Sequence, residues 1–443
     1  MFARAYDMFR VEELRKKILV TLGLLAVYRL GFHVPLPGVD PSALESFIHG
    51  DQGKAAGLVN LINVLSAGSL LSCTLFSLGI MPYISSSIIF SLLVKVVPSL
   101  EKIAKEGTQG QRRINQWTRL ATVPICLLQA LFIWRGALAP GNEMFLGGRA
   151  LVPEPIWDTF WFGAVVMVGL TAGTIFLMWV GEQITEYGIG NGISLLIMAN
   201  IVARIPDAVV EILAASQTER AEALKVGVLA LLFIVVTLGV VYLTKGQRRV
   251  PVQYAKLVRG RSVYGGQRHY LPLKVNAVSV MPVIFASTLL ILPQQILHSF
   301  GITLLDSNTF LYSALYVTGI VFFSFFWVGM MLNPKEMADN IKEYGAFIPG
   351  IRPGRKTQEF LDEALERITL AGAFFLAIVA IVPDLLVRAL DLPLIASSFI
   401  GGTSILITVS VALDLADRIN SFLLMRNYRG FMDGGTLKGG GGF

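Results

Sequence analysis

The feature that most constrains the fold is a series of ten long apolar segments. At 1.5 Å per residue, a helix needs about 20 apolar residues to cross a hydrocarbon core of about 30 Å. The segments lie at approximately 18–36, 76–97, 118–136, 158–180, 191–209, 225–243, 275–295, 311–332, 369–388 and 396–422. Each is long enough for one membrane-spanning helix, so the sequence predicts an all-α polytopic membrane protein with ten transmembrane helices.

The composition supports a membrane protein and gives no sign of an enzyme. Of the 443 residues, 54% are hydrophobic and only 15% are charged, which is typical of a chain whose main solvent is hydrocarbon. Cys73 and Cys126 both lie in apolar stretches, which predicts packing roles and no disulfide framework. The four histidines are scattered without ligand spacing, and no phosphate-binding or catalytic motif is present. We therefore predict no cofactor, no metal and no catalytic residue, and any work on a substrate must be powered by a partner.

The positions of Lys and Arg predict the orientation in the membrane. Basic residues are frequent in the loops that lie inside when the N-terminus is cytoplasmic, whereas the outer loops hold few, such as Lys54 and Arg149. An even number of spans returns the C-terminus to the cytoplasm. The basic start leads into the first apolar segment without a small-residue cleavage site, so this segment is expected to be a signal anchor. The predicted location is the cytoplasmic (inner) membrane, with both termini in the cytoplasm.

The stretch 58–97 is about twice as long as one span requires. Two full spans would place the basic loop that follows on the outer side, which the charge distribution opposes. Its first half is therefore expected to enter and leave on the outer side as a short re-entrant helix. Small polar residues suit a cavity better than lipid, and this half contains Asn60, Asn63, Ser66, Gly68, Ser69 and Ser72. The helix is either a mobile plug or a fixed outer cap.

Two similar phrases, GIMPYIS at 79–85 and SVMPVI at 279–284, lie about 200 residues apart inside apolar segments. A proline removes a backbone donor and loosens a helix. We therefore expect a kink in both spans, and lipid tolerates such a break only beside protein or a cavity. Ile80 and Ile84 are four residues apart and share one helical face.

Two cytoplasmic segments stand out. The first, 245–274, has eight basic and no acidic residues, with alternating apolar residues and glycines that predict a strand or hairpin. Two explanations fit its basic charge. It either sets the membrane topology and attracts anionic lipid, or it forms a docking surface for RNA phosphate or an acidic protein. The second, 333–367, has mixed charge. Its tip, IPGIRPG at 348–354, predicts a stiff turn that presents Arg352, and the stretch 357–369 is expected to be helical.

Several motifs occur in the order found in one family. They are PLPGVD at 35–40, LGIMPYIS at 78–85, EYGIGNGIS at 186–194, LPLKVN at 271–276, ADNIKEYGAFIPGIRPG at 338–354 and GGTSI at 401–405. With these motifs the chain resembles the SecY family of protein-conducting channels along essentially its whole length. The resemblance implies two inverted five-helix halves, 1–210 and 211–430, with a plug at about 58–74, protrusions at about 244–274 and 333–368, and a flexible tail at 431–443.

The resemblance also implies the site residues. A pore ring of aliphatic side chains corresponds to Ile80, Ile84, Ile197, Ile284 and Ile407. A lateral gate corresponds to Ser85, Gln129 and Asn276. Docking of the ribosome and of the SecA ATPase corresponds to Arg248, Arg249, Arg259, Arg261, Arg268, Arg352, Arg355 and Lys356. In this family a pair of arginines contacts the ribosome. Arg261 matches one of the two positions, whereas Ser262 occupies the other, which puts the affinity for the ribosome in question.

The function implied is a passive gated channel that translocates unfolded secretory polypeptides and releases apolar segments laterally into the membrane. The implied partners are SecE-like and SecG-like small membrane subunits, SecA, the ribosome, signal sequences, unfolded preproteins and anionic lipid. An inverted-repeat secondary transporter of small solutes is the alternative, although the spans lack the acidic or histidine residues of an ion-coupled site. A membrane assembly scaffold without a pore is a third class.

Overall fold

The structure is a computed structural model that describes residues 11–38, 74–137, 157, 159–203, 205–206, 210, 220–254, 257–259, 262–264, 268–276, 280–299, 305, 309–389 and 402–433. The predicted plug residues (Asn60, Asn63, Ser66, Gly68, Ser69 and Ser72), Arg261 and the end of the tail lie outside the described residues. The predicted plug therefore stays a prediction.

The described chain is mostly helical. The helices are α1 (Glu12–Gly31), α2 (Met81–Val96), α3 (Pro98–Ala104), α4 (Thr108–Phe132), α5 (Phe160–Tyr187), α6 (Gly192–Val202), α7 (Arg220–Lys245), α8 (Met281–Ser299), α9 (Phe310–Met331), α10 (Pro334–Glu343), α11 (Arg355–Ala389) and α12 (Gly402–Asp433). The strands are β1 (Gln247–Tyr254), β2 (Leu257–Arg259), β3 (Ser262–Tyr264), β4 (Arg268–Lys274) and β5 (Ala346–Phe347).

Each of the ten predicted spans overlaps one of these helices. Among the described residues, four stretches are long and apolar enough to cross a membrane: Thr108–Arg135, Phe160–Tyr187, Phe310–Glu343 and Arg355–Pro383. The pair α2 and α3 passes the same test together but is bent by 104°. The bend lies at Val97, which is extended because the residue before a proline is disfavoured in the helical region. Several apolar helices are thus present, and the count of ten spans stays a prediction.

The chain divides into two compact units, Met1–Pro206 with Val411–Phe443, and Asp207–Ser410. In the first unit α5 is the central helix and packs against α1, α2, α4 and α6. Arg119 of α4 forms an ion pair with Glu182 of α5 at 2.6 Å. In the second unit α9 packs between α8 and α11, and α7 also contacts α11. The predicted boundary between two five-helix halves stays a prediction.

The turn between α5 and α6 is fastened by side-chain hydrogen bonds. The Asn191 side chain accepts from the amides of Ile193 and Ser194 at 3.1 and 3.3 Å, which caps α6. The hydroxyl of Thr185 accepts from the amide of Gly192 at 2.9 Å, and that of Thr21 in α1 accepts from the amide of Ile189 at 3.2 Å. The hydrogen bonds of the EYGIGNGIS motif therefore fix the direction in which α6 follows α5.

Close packing of α5 against α6 depends on Gly192, because a Cβ there would overlap the carbonyl group of Gly181. We expect Gly192→Ala to destabilise the protein by about 1 to 3 kcal/mol, the usual cost of overpacking. The measurement is thermal unfolding of the detergent-purified protein. Gly23→Ala is the matched control, since nothing lies within 4 Å of a Cβ at this helical glycine. The control should melt at or above the wild-type temperature, and equal melting of the two variants would contradict the prediction.

Candidate functional site

The first of the two similar phrases forms a helix start. The chain runs through hydrogen-bonded turns from Thr74 to Ile80, and α2 begins at Met81. The carbonyl of Ile80 accepts from the amide of Ile84 at 3.1 Å. Pro82 is the second residue of the helix, where its missing N–H costs nothing because first-turn amides have no partner within the helix. The predicted kink at Pro82 is therefore wrong, and the proline marks where the helix begins.

The second phrase repeats this geometry. Helix α8 begins at Met281 with Pro282 as its second residue, and the carbonyl of Val280 accepts from the amide of Ile284 at 3.2 Å. The predicted kink at Pro282 is wrong for the same reason. From position 80 and from position 280 onward, the two phrases thus build similar helix starts, one in each unit.

Three of the five predicted ring residues meet in the first unit. Ile80 is buried in an apolar cluster with Tyr28, Phe76, Leu177, Val180, Ile184, Leu195 and Leu196, and Ile84 and Ile197 pack against this cluster. Ile80 and Ile84 come from the start of α2, whereas Ile197 comes from α6. The structure therefore brings together residues that are more than 100 positions apart in sequence.

The other two predicted ring residues belong to the second unit. Ile284 is half-buried in the first turn of α8, and Ile407 of α12 is buried. Their neighbours Val283, Phe285, Leu406 and Ile405 are also buried. The ring of five residues stays a prediction.

The predicted gate residues are at least half-buried. Ser85 of α2 and Gln129 of α4 are intermediate in exposure, and Asn276, just after β4, is buried. The neighbouring Ser86, which sequence analysis missed, is fully buried and donates from its hydroxyl to the carbonyl of Thr118 at 2.7 Å. This bond fastens α2 to α4. A serine among apolar residues is a weak signal, and the three consecutive serines at 85–87 do not show which one is bonded.

The segments 245–274 and 333–367 form one folded element, which we call the docking module (β1 to β5, α10 and the first three turns of α11). Strand β1 pairs antiparallel with β4 over seven residues, from Gln247 with Lys274 to Gln253 with Arg268. It also pairs with β5 through Gln253 with Phe347 and Tyr254 with Ala346. The predicted hairpin is confirmed, and β2 and β3 add a second one. Sequence analysis had treated the two segments as separate protrusions.

A shared apolar core holds the docking module together. Its buried residues come from both segments: Val250, Val252, Leu273, Ala338, Ala346, Ile348, Leu361, Ala364 and Leu365. Arg248 and Arg249 are exposed on β1. Arg259 and Arg268 lie in strands, but their side chains are outside the described part of the chain.

The tip of the docking module is the predicted turn. The amide of Ile351 donates to the carbonyl of Ile348 at 3.0 Å, with Pro349 second and Gly350 third at φ +83°. This is the pattern of a type II turn, in which the third residue must accept a positive φ. The Thr357 hydroxyl then donates to the carbonyl of Arg352 at 3.0 Å. The expected turn is confirmed, and the backbone of Arg352 is fixed on both sides.

The three cations at this tip differ in their surroundings. Arg355 and Lys356 both form ion pairs with Glu359, at 3.3 and 2.8 Å. The hydrogen bond from Lys356 lowers the pKa of the Glu359 carboxyl below its ordinary value. Arg352 is exposed, and among the described residues no carboxylate lies within ion-pair distance of it. Of these three cations, Arg352 is therefore the one without an acidic partner in the described part of the chain.

A groove of about 300 Å³ opens between the end of the β1–β4 ladder and α10. Its floor includes Val252 and Ala346, and its rim carries three exposed tyrosines, Tyr254, Tyr270 and Tyr344. Tyrosine is enriched at protein interfaces because its ring gives a large contact area with a polar tip. Within the described residues no group of three potential metal ligands occurs.

Comparison with known proteins gives consistent matches. The family model described as SecY matches residues 74–416. The chain is 40% identical over 440 residues to "Protein translocase subunit SecY" of Haemophilus influenzae, covering 97% of this chain and 96% of that protein. It is 44% identical over 447 residues to the protein of the same name from Streptomyces coelicolor, covering 97% and 99%.

A solved structure of Sec61 in the canine ribosome–channel complex shares the fold, with a TM-score of 0.57 and 20% identity over 96% of this chain and 95% of that chain. The family model covers well over half of the chain, and the bacterial relatives match it almost from end to end. The chain therefore belongs to the SecY family.

Proposed function

We propose that this chain is the channel subunit of a protein translocase in the cytoplasmic membrane. It passes unfolded secretory polypeptides across the membrane and releases apolar segments sideways into lipid. The observation that carries this proposal is the match of at least 40% identity, over nearly the whole chain, to two proteins named translocase subunits. The alternative of a small-solute transporter has no support among these relatives.

The five isoleucines form the pore ring of this channel. In support, Ile80, Ile84 and Ile197 gather at one apolar cluster, and the two phrases that carry Ile84 and Ile284 build similar helix starts from positions 80 and 280. A narrow ring of isoleucine side chains has neither donors nor acceptors, so it excludes water and ions by dewetting. The same ring offers a passing polypeptide no polar group to bind. Such a ring seals the membrane and still lets a chain slide.

A polar side chain in the ring should let water in and raise ion leak. We expect Ile84→Asn and Ile407→Asn each to raise the resting conductance of proteoliposomes several-fold, because an amide stabilises water in the constriction. The measurement is ion flux in the absence of substrate. Ile89→Asn is the matched control, since Ile89 is on the same helix as Ile84 but 46% exposed. Equal leak in the Ile84 and Ile89 variants would contradict the ring.

Ser85, Gln129 and Asn276 form a polar latch at the lateral gate. The Ser86 to Thr118 bond supports this assignment, because it ties α2 to α4 so that the two helices move together. Because α2 and α4 are tied together, the gate opens beside this pair of helices and not between them. Hydrogen bonds between helices in membranes are worth about 0.6 to 2 kcal/mol each, which is enough to bias the gate and still allow it to open.

Removing a latch amide should shift the balance between closed and open gate. We expect Gln129→Leu and Asn276→Leu to change translocation of a substrate with a defective signal sequence by about threefold to thirtyfold, which corresponds to the energies above. The measurement is translocation into inverted vesicles, relative to an intact signal sequence. Gln116→Leu makes the same change at an exposed position of α4 and should leave the ratio unchanged. Unchanged selectivity in both latch variants would count against the gate.

The docking module receives the translocation motor or the ribosome. The structure of the Sec61 relative is a ribosome–channel complex. In this chain the module presents exposed Arg248 and Arg249, the uncompensated Arg352 and a tyrosine-rimmed groove. Arginine suits both RNA phosphate and the carboxylates of a protein partner because its planar donors bind two oxygens at once. SecA, SecE-like and SecG-like subunits and anionic lipid complete the proposed set of partners.

The free charge of Arg352 should matter more than its paired neighbours. We expect Arg352→Ala to lower motor-driven translocation at least tenfold, since loss of a charge-assisted hydrogen bond typically costs about 1.5 to 3 kcal/mol. Arg355→Ala, three residues away and also exposed, should have a much smaller effect because Glu359 already pairs with that guanidinium. Motor affinity and ATP-driven translocation are the measurements. Equal loss in the two variants would show that overall charge matters and not Arg352.

A further inference from the structure

The end of α4 forms a clasp of two tryptophans. Beyond Phe132 the chain continues as one π-helical turn, Ile133–Ala137. The indole of Trp134 donates to the carbonyl of Trp157 at 3.2 Å, and the indole of Trp157 donates to the carbonyl of Trp134 at 3.1 Å. This reciprocal pair joins the end of α4 to the segment that leads into α5. We call Trp134, Arg135 and Trp157 the tryptophan clasp.

The Trp134 ring is held in place by packing against α5. Trp134 is 6% exposed, and its ring packs so closely on α5 that a Cβ at Gly163 would overlap it. A π-helical turn is rare, and such turns occur often at functional sites. The turn here places Trp134 inward and its neighbour Arg135 outward. The clasp is thus a rigid base for one exposed cation.

Arg135 lies over both rings. Its guanidinium carbon is 4.5 Å from the ring centroid of Trp134 and 5.8 Å from that of Trp157, within the range of a cation–π contact. The residue is exposed, and no carboxylate in the described part of the chain forms an ion pair with it. The contact with the ring faces uses none of the five N–H donors of the guanidinium. Within the described residues no carboxylate occupies these donors, so we expect them to bind an anion.

The clasp lies between the ends of two candidate membrane spans. One candidate span is Thr108–Arg135, and the next is Phe160–Tyr187, so Arg135 ends the first and Trp157 comes just before the second. Phe160 and Trp161 at the start of that span are 74% and 75% exposed. Aromatic residues of this kind form the belt at the level of the lipid headgroups. An exposed guanidinium at this depth lies beside the phosphates of the bilayer.

We propose that the tryptophan clasp is a phospholipid site in which Arg135 binds the headgroup phosphate. Two parallel N–H groups of a guanidinium match two phosphate oxygens, and the contacts with both rings hold this guanidinium beside them. The exposed rings of Phe160 and Trp161 lie at the same level and suit contact with the acyl chains. The site gives the proposed anionic lipid partner a defined contact, at residues outside the basic segment 245–274, and it depends only on the chain spanning a membrane.

The test is lipid binding to the full-length chain, purified in detergent and titrated with phosphatidylglycerol in native mass spectrometry. Diacylglycerol with the same acyl chains, which lacks the phosphate, is titrated in parallel. We expect the wild type to prefer phosphatidylglycerol and Arg135→Gln to weaken that binding about tenfold or more. Arg135→Lys should fall between the two, because it keeps the charge but loses the planar fork. Arg113→Gln, at the other end of the same helix, is the control, since Arg113 already pairs with Glu106 at 3.6 Å.

Each other outcome would overturn the proposal. Equal affinity for phosphatidylglycerol in wild type and Arg135→Gln would remove Arg135 from lipid binding. Equal affinity of the wild type for diacylglycerol would show that acyl chains alone are recognised. Displacement of the lipid by millimolar inorganic phosphate would show a free-anion site. Thermal melting of each variant without added lipid confirms folding, and Arg135→Lys supplies a folded comparison if Arg135→Gln melts early.

Discussion

The constraint on which the rest of the structure depends is that backbone groups must be paired wherever a chain runs at membrane depth. Helices α2 and α8 both begin inside apolar segments, where unpaired amides of a helix start are costly. In the first unit the chain meets this requirement by hydrogen-bonded turns at 74–80, including the amides of Ser77 and Gly79 to the carbonyls of Thr74 and Phe76, at 3.0 and 2.8 Å. Proline at the second helical position removes one further donor. The interrupted backbone then lies against apolar side chains, which is where Ile80 is found.

Sequence alone predicted the elements whose signal is local. Length and apolar content located a helix in each of ten segments, and the basic segment with alternating apolar residues predicted the β1–β4 hairpin. The prolines and glycines of the motif at 348–354 predicted the turn there. Pro82 and Pro282 were misinterpreted as kinks because the sequence does not show where each helix begins. A proline in the first turn then looks the same as a proline inside the helix.

What the sequence could not predict depends on contacts between distant residues. Strand β5 has only two residues, too few for a periodic pattern, and its partners in β1 are more than 90 positions earlier. The docking module was therefore seen as two protrusions. Likewise, three consecutive serines follow Ile84, and only packing against α4 distinguishes Ser86 as the bonded one. The gathering of Ile80, Ile84 and Ile197 was expected from family resemblance and not from spacing.

The architecture of the docking module bears on how a force applied at its tip reaches the other helices of the second unit. Helix α11 runs unbroken for 35 residues, roughly 50 Å. Its first turns bury Leu361 and Leu365 in the core of the module, and its later turns pack against α7, α8 and α9. Arg352 lies three residues before the first residue of this helix, and its carbonyl accepts from the hydroxyl of Thr357 in the first turn. A load applied at Arg352 therefore passes through only Pro353 and Gly354 before it reaches one continuous helix, which connects the tip to the apolar helices of the second unit.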